Sequence, residues 1–351
     1  MNVRTFAVIA VVGLLICAVG LWFDAGLMAH AWLAAALTWG LLPLGALAAL
    51  LTWGLTGGGW GELGAPTWRA LTACLPLFAL ALLPLLLFAR SALFPWTQPL
   101  ETLPEVVRHK HLYLNTPFFV IRTLVYFLIW CLFAALVGVW RPRVPGAAVC
   151  AGGLVALLYT LAFFGFDWML SLEPKFYTDV FGLWLAVTLP AGATALVLLR
   201  PPVTRGGVDI GRRADLANLW FALLLGWAFI AFAQYIIIWS GNIPDEIEWY
   251  LARGHGVWRG MAWLVCLLFF VVPTLALLFG GFKRNGRWLQ RLAGVVLLGY
   301  VLQMQWWILP AADAPQWPLL WMAPLCLITL GAAMLALWSY HFERAQVRHE
   351  R

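Results

Sequence analysis

Charged residues are scarce in this sequence. Only 11% of the 351 residues are Asp, Glu, Lys or Arg, whereas 64% are hydrophobic. A soluble protein carries roughly 25% charged residues. The shortage therefore excludes an ordinary soluble domain and predicts an integral membrane protein.

Residues that commonly hold metals or cofactors are also few and dispersed. The six cysteines show none of the CxxC, CxxCH or zinc-site spacings. The six histidines lie near the ends of hydrophobic runs or outside them, whereas a transmembrane b-type haem takes its axial histidines from within the spans. A phosphate-binding loop and a dinucleotide-binding fingerprint are both missing. We expect no covalently bound cofactor, no metal site and no catalytic residue of the chain's own, so that haem or iron–sulfur clusters would belong to partner subunits.

Long hydrophobic runs dominate what remains. A spanning helix needs about 20 mainly apolar residues. Ten runs meet this length, and they predict an all-α protein with a single polytopic membrane domain over residues 1–351. The first run resembles a signal peptide but lacks a small-x-small cleavage site, so we expect an uncleaved span. The predicted spans are 6–23, 29–53, 69–93, 117–139, 146–166, 180–200, 216–240, 258–281, 288–308 and 318–340.

The basic residues predict the orientation of these spans. An even number of spans places both termini on one side, and fifteen of the 22 lysines and arginines lie on that side. The positive-inside rule then places both termini in the cytoplasm. We expect the membrane to be a bacterial inner membrane. The net charge of +7 reflects this topology and not a nucleic-acid surface. The basic residues on the opposite side are Arg90, Arg108, Lys110, Arg122, Lys175, Arg253 and Arg259.

Polar residues concentrate in four stretches toward the predicted periplasmic face, at 109–127, 163–182, 231–260 and 302–307. The stretch at 163–182 is the densest and joins spans 5 and 6. A quinone needs an apolar cleft with one or two polar groups, and proton movement needs carboxylates or histidines near the bilayer. The candidates for a quinone-binding region or a proton path are Arg122, Tyr126, Asp167, Glu173, Asp179, Gln234, Tyr235, Glu246 and His255, and two further glutamines, Gln303 and Gln305, approach the same face.

Each candidate also has a purely structural interpretation. The 163–182 stretch is equally consistent with a capped turn between two spans. Arg122 lies near the start of its span, where an arginine can extend its charge to the membrane surface. His255 is equally consistent with a solvated loop histidine.

Three of these stretches resemble the F subunit of bacterial alternative complex III, a member of the polysulfide-reductase membrane-subunit (NrfD-like) group. The resemblance covers about residues 100–270. The matching motifs are YLNTPFF at 113–119 with Arg122, DWMLSLEP at 167–174 with Phe176, Tyr177, Phe181 and Gly182, and AQY at 233–235 followed by WSGNIP at 239–244, Glu246, Trp249 and Tyr250.

The resemblance implies a subunit of a quinol:cytochrome c oxidoreductase. Its expected partners are a multihaem cytochrome c, an iron–sulfur protein and an NrfD-like sister subunit, and its expected ligand is menaquinone or ubiquinone. It also implies two four-helix bundles, from spans 2–5 and 6–9, with two peripheral helices. In such complexes the quinol site is usually assigned to the sister subunit, so the F subunit is also a candidate scaffold.

Two alternatives from other functional classes stay open. One is a structural scaffold that seats catalytic subunits and has no site of its own. The other is a secondary transporter, which usually shows interrupted helices with polar residues at the membrane midplane. The central thirds of the spans are almost entirely apolar, which argues against transport.

Overall fold

A computed structural model describes residues 3–140, 145–201, 209–312 and 317–349. The described residues are mostly helical and include no β-strand, which confirms the all-α prediction. Of the basic residues used to predict orientation, Arg141, Arg143, Arg205 and Arg351 lie outside these ranges.

Ten helices in the described part of the chain are long and apolar enough to span a membrane, as predicted. We number them as spans 1 to 10 in chain order. They are Val3–Gly20, Ala25–Thr56, Gly59–Leu93, Thr116–Leu136, Ala147–Leu172, Phe181–Leu199, Ile210–Gly241, Gly256–Leu278, Gly286–Ala311 and Leu319–Glu343.

Span 3 is longer than its hydrophobic run predicts, because its first ten residues are not strongly apolar. They include Glu62, which forms an ion pair of 2.7 Å with Arg212 at the start of span 7. Pro84 lies directly before a π-helical turn at Leu85–Ala89, which widens the helix near its end. Span 8 contains a second π-helical turn at Cys266–Val271, followed by Pro273.

The spans pack as two groups of four with two helices beside them. Spans 2 to 5 contact one another, as do spans 6 to 9, and spans 2 and 6 meet at the centre. Gly45 of span 2 lies directly against the backbone of Leu189 in span 6, so these two helices approach closely. Spans 1 and 10 pack against each other and against span 2, outside both groups.

Spans 3, 5, 7 and 9 end on the same side of the helix bundle, which we call the loop side. The connections at 94–115, 173–180 and 242–255 meet there. The Lys110 ammonium donates a hydrogen bond to the Pro174 carbonyl at 2.7 Å, and Arg253 donates to the Trp307 carbonyl of span 9 at 2.8 Å. That the loop side faces the periplasm stays a prediction from charge distribution.

Candidate functional site

Arg122 and Asp167 form a buried ion pair between spans 4 and 5. Asp167 is fully buried, and its two carboxylate oxygens accept from Arg122 Nε at 2.9 Å and Nη2 at 2.7 Å. The Tyr126 hydroxyl donates to Asp167 Oδ2 at 2.7 Å. Arg122 and Tyr126 reach the same carboxylate because residues four apart share one face of a helix.

The local sequence fixes Arg122 in this position. Asn115 caps span 4 by accepting from the Phe118 amide at 3.0 Å, and Pro117 occupies the first helical turn. The guanidinium then lies against two nearly perpendicular aromatic rings, 3.8 Å from the ring centre of Tyr113 and 4.2 Å from that of Phe118. Arg122 Nη1 also donates to the Tyr113 carbonyl at 2.9 Å. The pair therefore ties the 94–115 connection to spans 4 and 5.

A second ion pair joins Glu173 to Arg253, a residue that the sequence candidates omitted. Arg253 Nη2 and Nη1 lie 2.5 Å and 3.2 Å from the two Glu173 carboxylate oxygens. The guanidinium also donates to the carbonyls of Trp249, Trp306 and Trp307, and it is only 1% exposed. Burial lowers the pKa of Arg253, and the negative charge of Glu173 opposes this shift.

A sequence signal for Arg253 did exist. Pro244 can occupy the first turn of a helix, and Gly254 can follow the last turn. The structure has this helix at Pro244–Arg253, with Trp249 and Arg253 buried on the same face. The spacing of four residues between Trp249 and Arg253 is the one that places two side chains on the same helix face.

Gln234 of span 7 is the third buried polar group. Its side-chain oxygen accepts a hydrogen bond from the Thr178 hydroxyl. Burial raises the pKa of Tyr250, and a side-chain hydrogen bond with Gln234 opposes this shift.

The other candidates do not join these groups. Asp179 is exposed and accepts from the Tyr177 hydroxyl, and His255 is exposed with Nδ1 2.7 Å from the Leu251 carbonyl oxygen. Tyr235 is half exposed, and Glu246 is half-buried near Lys110.

Gln303 and Gln305 of span 9 are buried. Gln305 donates to the Thr38 hydroxyl of span 2 at 2.9 Å, which directs its amide toward the central helices. The predicted polar set therefore divides into separate pairs, and Arg122, Tyr126 and Asp167 are the three candidates that meet directly.

A cleft of about 300 Å³ opens on the loop side next to this triad, and we call it the Tyr113 cleft. Its walls are mostly aromatic and aliphatic, and Tyr113 and Ser171 connect it to the ion pair. Ser171 Oγ donates to the Asp167 carbonyl at 2.5 Å, and the Arg122 guanidinium packs against the Tyr113 ring. The lining residues are Lys110, Tyr113, Leu114, Phe163, Phe166, Leu170, Ser171, Pro174, Phe176 and Tyr177.

Electrostatics differ between the polar groups of this cleft. Burial lowers the pKa of Lys110, and the negative charge of Glu246 opposes the shift. Burial and the charge of Asp167 both raise the pKa of Tyr113, which keeps its phenol protonated. The cleft therefore offers the Lys110 nitrogen and protonated hydroxyl groups to a ligand.

A second cleft of about 270 Å³ lies beside the first. It is lined by Glu173, Lys175, Asp245 and Glu248 together with apolar residues. The Lys175 ammonium lies 3.1 Å from the Glu248 carboxylate. This cleft is more strongly charged than the Tyr113 cleft.

No protein-family model and no curated protein sequence matches this chain.

Proposed function

We propose that this chain is a cofactor-free membrane subunit of a respiratory quinol:cytochrome c oxidoreductase, similar to the F subunit of alternative complex III. In this proposal its loop side faces the periplasm of a bacterial inner membrane. Its partners would be an iron–sulfur protein, a multihaem cytochrome c and an NrfD-like sister subunit. The observation that carries the proposal is the Tyr113 cleft beside the Arg122–Asp167 pair.

The cleft has the composition that a quinone head group requires. Such a ligand is bound by apolar walls and a small number of polar groups that fix its orientation. Phe163, Phe166 and Leu170 supply apolar wall, and Lys110 supplies a donor. An ammonium has three N–H donors, and the Pro174 carbonyl takes one of them. Lys110 therefore has a donor left for a carbonyl oxygen of menaquinone or ubiquinone.

Protons released by quinol oxidation need acceptors at the aqueous boundary. Asp179 accepts from Tyr177 of the cleft wall, and Glu246 is close enough to Lys110 to influence its pKa. These half-buried or exposed carboxylates are suited to pass protons to water. Asp167 is enclosed by Arg122 and Tyr126, so in this proposal it positions the cleft wall and does not itself carry protons.

The test is steady-state cytochrome reduction by the assembled complex with Lys110→Met. Loss of a hydrogen bond from a charged donor costs about 1.5–3 kcal/mol, so the KM for quinol should rise about tenfold or more. Lys175→Met is the matched control, because that ammonium lies in the neighbouring cleft against Glu248. An unchanged KM in the Lys110 variant would remove the quinone role.

A scaffold without its own site is the second candidate. The mutual hydrogen bonding of Arg122, Tyr126 and Asp167 supports it, because these buried side chains satisfy one another and join span 4 to span 5 without needing a ligand. A scaffold predicts that both lysine variants keep the wild-type KM. It also predicts that Asp167→Asn lowers the amount of assembled complex without changing the turnover of each complex.

A further inference from the structure

Three sulfur-bearing side chains from three different spans meet on the loop side. Cys17 Sγ of span 1 lies 3.9 Å from Cys326 Sγ of span 10, and Cys326 Sγ lies 3.5 Å from Met28 Sδ of span 2. The exposed fractions of Cys17, Met28 and Cys326 are 5%, 2% and 0%. The two cysteines are 309 residues apart, which is why their spacing predicted no metal site.

The packing around Met28 gives independent support for this convergence. A Cβ atom added at Gly20 would lie 2.0 Å from the terminal methyl of Met28, so that side chain rests on the surface of span 1. Gly20 lies one turn after Cys17 on the same helix face. Met28 is therefore adjacent to both cysteine-bearing helices.

We propose that Cys17, Met28 and Cys326 form a copper(I) site between spans 1, 2 and 10. Thiolate and thioether ligands select copper(I) over the harder divalent ions. A metal–sulfur bond of about 2.3 Å places two sulfur atoms of a trigonal site about 4 Å apart. Both measured sulfur–sulfur separations lie close to that spacing, so binding requires only small movements.

The site lies toward the loop-side ends of its three helices, with Cys17 in the last turn of span 1. Met28 lies in the first turn of span 2, and span 10 also begins on the loop side, at Leu319. On binding, one Cu⁺ replaces the thiol protons of Cys17 and Cys326, and both protons leave to the water on the loop side.

Such an ion would also fasten the first span. Span 1 exposes most of its apolar side chains and contacts mainly span 10. Two sulfur–metal bonds to other helices would add a strong constraint to that packing. The site is independent of the quinone proposal, since it uses neither the Tyr113 cleft nor the ion pairs beside it.

The test is anaerobic copper(I) titration of the purified full-length protein in detergent, in competition with bicinchoninate. We expect one copper(I) per chain and an X-ray absorption spectrum with sulfur as the only first-shell ligand. Changes in groups that only support a metal ligand weaken binding about 10–100-fold. Cys17→Ser, Cys326→Ser and Met28→Leu remove ligands, so each should weaken binding by at least this factor.

Cys74→Ser is the control, because this buried thiol donates to its own helix at the Ala70 carbonyl and should leave copper binding unchanged. Limited proteolysis at the start of span 1 gives a second readout, and copper should slow it in the wild type and in the Cys74 variant but not in the three ligand variants. Three results would overturn the proposal. They are no copper retained against the competitor, a loss of copper in the Cys74 variant as large as in the ligand variants, or a Cys17–Cys326 disulfide in the isolated protein.

Discussion

Replacing Asp167 with Asn gives the sharpest test of the site's structure. The substitution keeps the shape of the side chain but removes the charge that balances Arg122, and it can turn an amide donor toward the guanidinium donors. Breaking a buried ion pair by removing one partner costs about 3–5 kcal/mol, because the other charge remains buried. We expect Asp167→Asn to lower the free energy of unfolding by this amount.

Removing the whole triad should cost much less. Replacing a buried ion pair with apolar residues of similar size is often neutral. The triple variant Arg122→Met, Tyr126→Phe and Asp167→Leu leaves the Tyr113 carbonyl without its Arg122 donor, and an unpaired buried group costs about 1–3 kcal/mol. We therefore expect the triple variant to be more stable than the single Asp167→Asn variant.

The assay is equilibrium unfolding in mixed dodecyl maltoside and dodecyl sulfate micelles, followed by tryptophan fluorescence. Asp179→Asn is the control, because that carboxylate is exposed and should tolerate the change. An Asp167→Asn variant as stable as the wild type would contradict the cost expected for an unpaired buried arginine. A triple variant less stable than the single one would contradict it as well.

Two further predictions concern packing and pH. Gly45→Ala should destabilise the protein by about 1–3 kcal/mol, the usual cost of overpacking, because the new methyl would lie 2.1 Å from the Leu189 carbonyl oxygen. Gly294→Ala is the control in the same unfolding assay, because its new methyl would lie 4.0 Å from the Leu199 side chain. Burial raises the pKa of Tyr250 above its ordinary value of 10.0, so the unfolded chain loses this proton first and stability should fall as pH rises above 10. Tyr250→Phe should make that fall shallower in unfolding curves measured below and above pH 10, and an unchanged slope would contradict the assignment.

The all-helical fold and the ten spans could be predicted from sequence because hydrophobic length is a local property. The start of span 3 could not, since Glu62 is accommodated by Arg212 from a distant helix. The pairing of Arg122 with Tyr126 on one helix face followed from their spacing, but their shared partner Asp167 required knowledge of which spans are neighbours.

The partners of Arg253 and the Cys17–Cys326 contact were missed for the same reason. Arg253 is held by carbonyls of span 9 and by Glu173, which are contacts between segments remote in sequence. Sequence periodicity describes one helix at a time, so it cannot indicate such convergence. The structure also separates residues that sequence grouped together, since His255 and Asp179 lie at the surface, apart from the buried pairs.

The most direct test of the proposed function is purification of the tagged chain from its native membranes in mild detergent. Mass spectrometry and a haem-stained gel would identify what accompanies it. The proposal predicts a multihaem cytochrome c, an iron–sulfur protein and an NrfD-like membrane subunit in constant ratio, with quinol-dependent cytochrome reduction in the same fractions. A haem-free chain that purifies alone from its native membranes, without that activity, would contradict the respiratory assignment and favour a transporter.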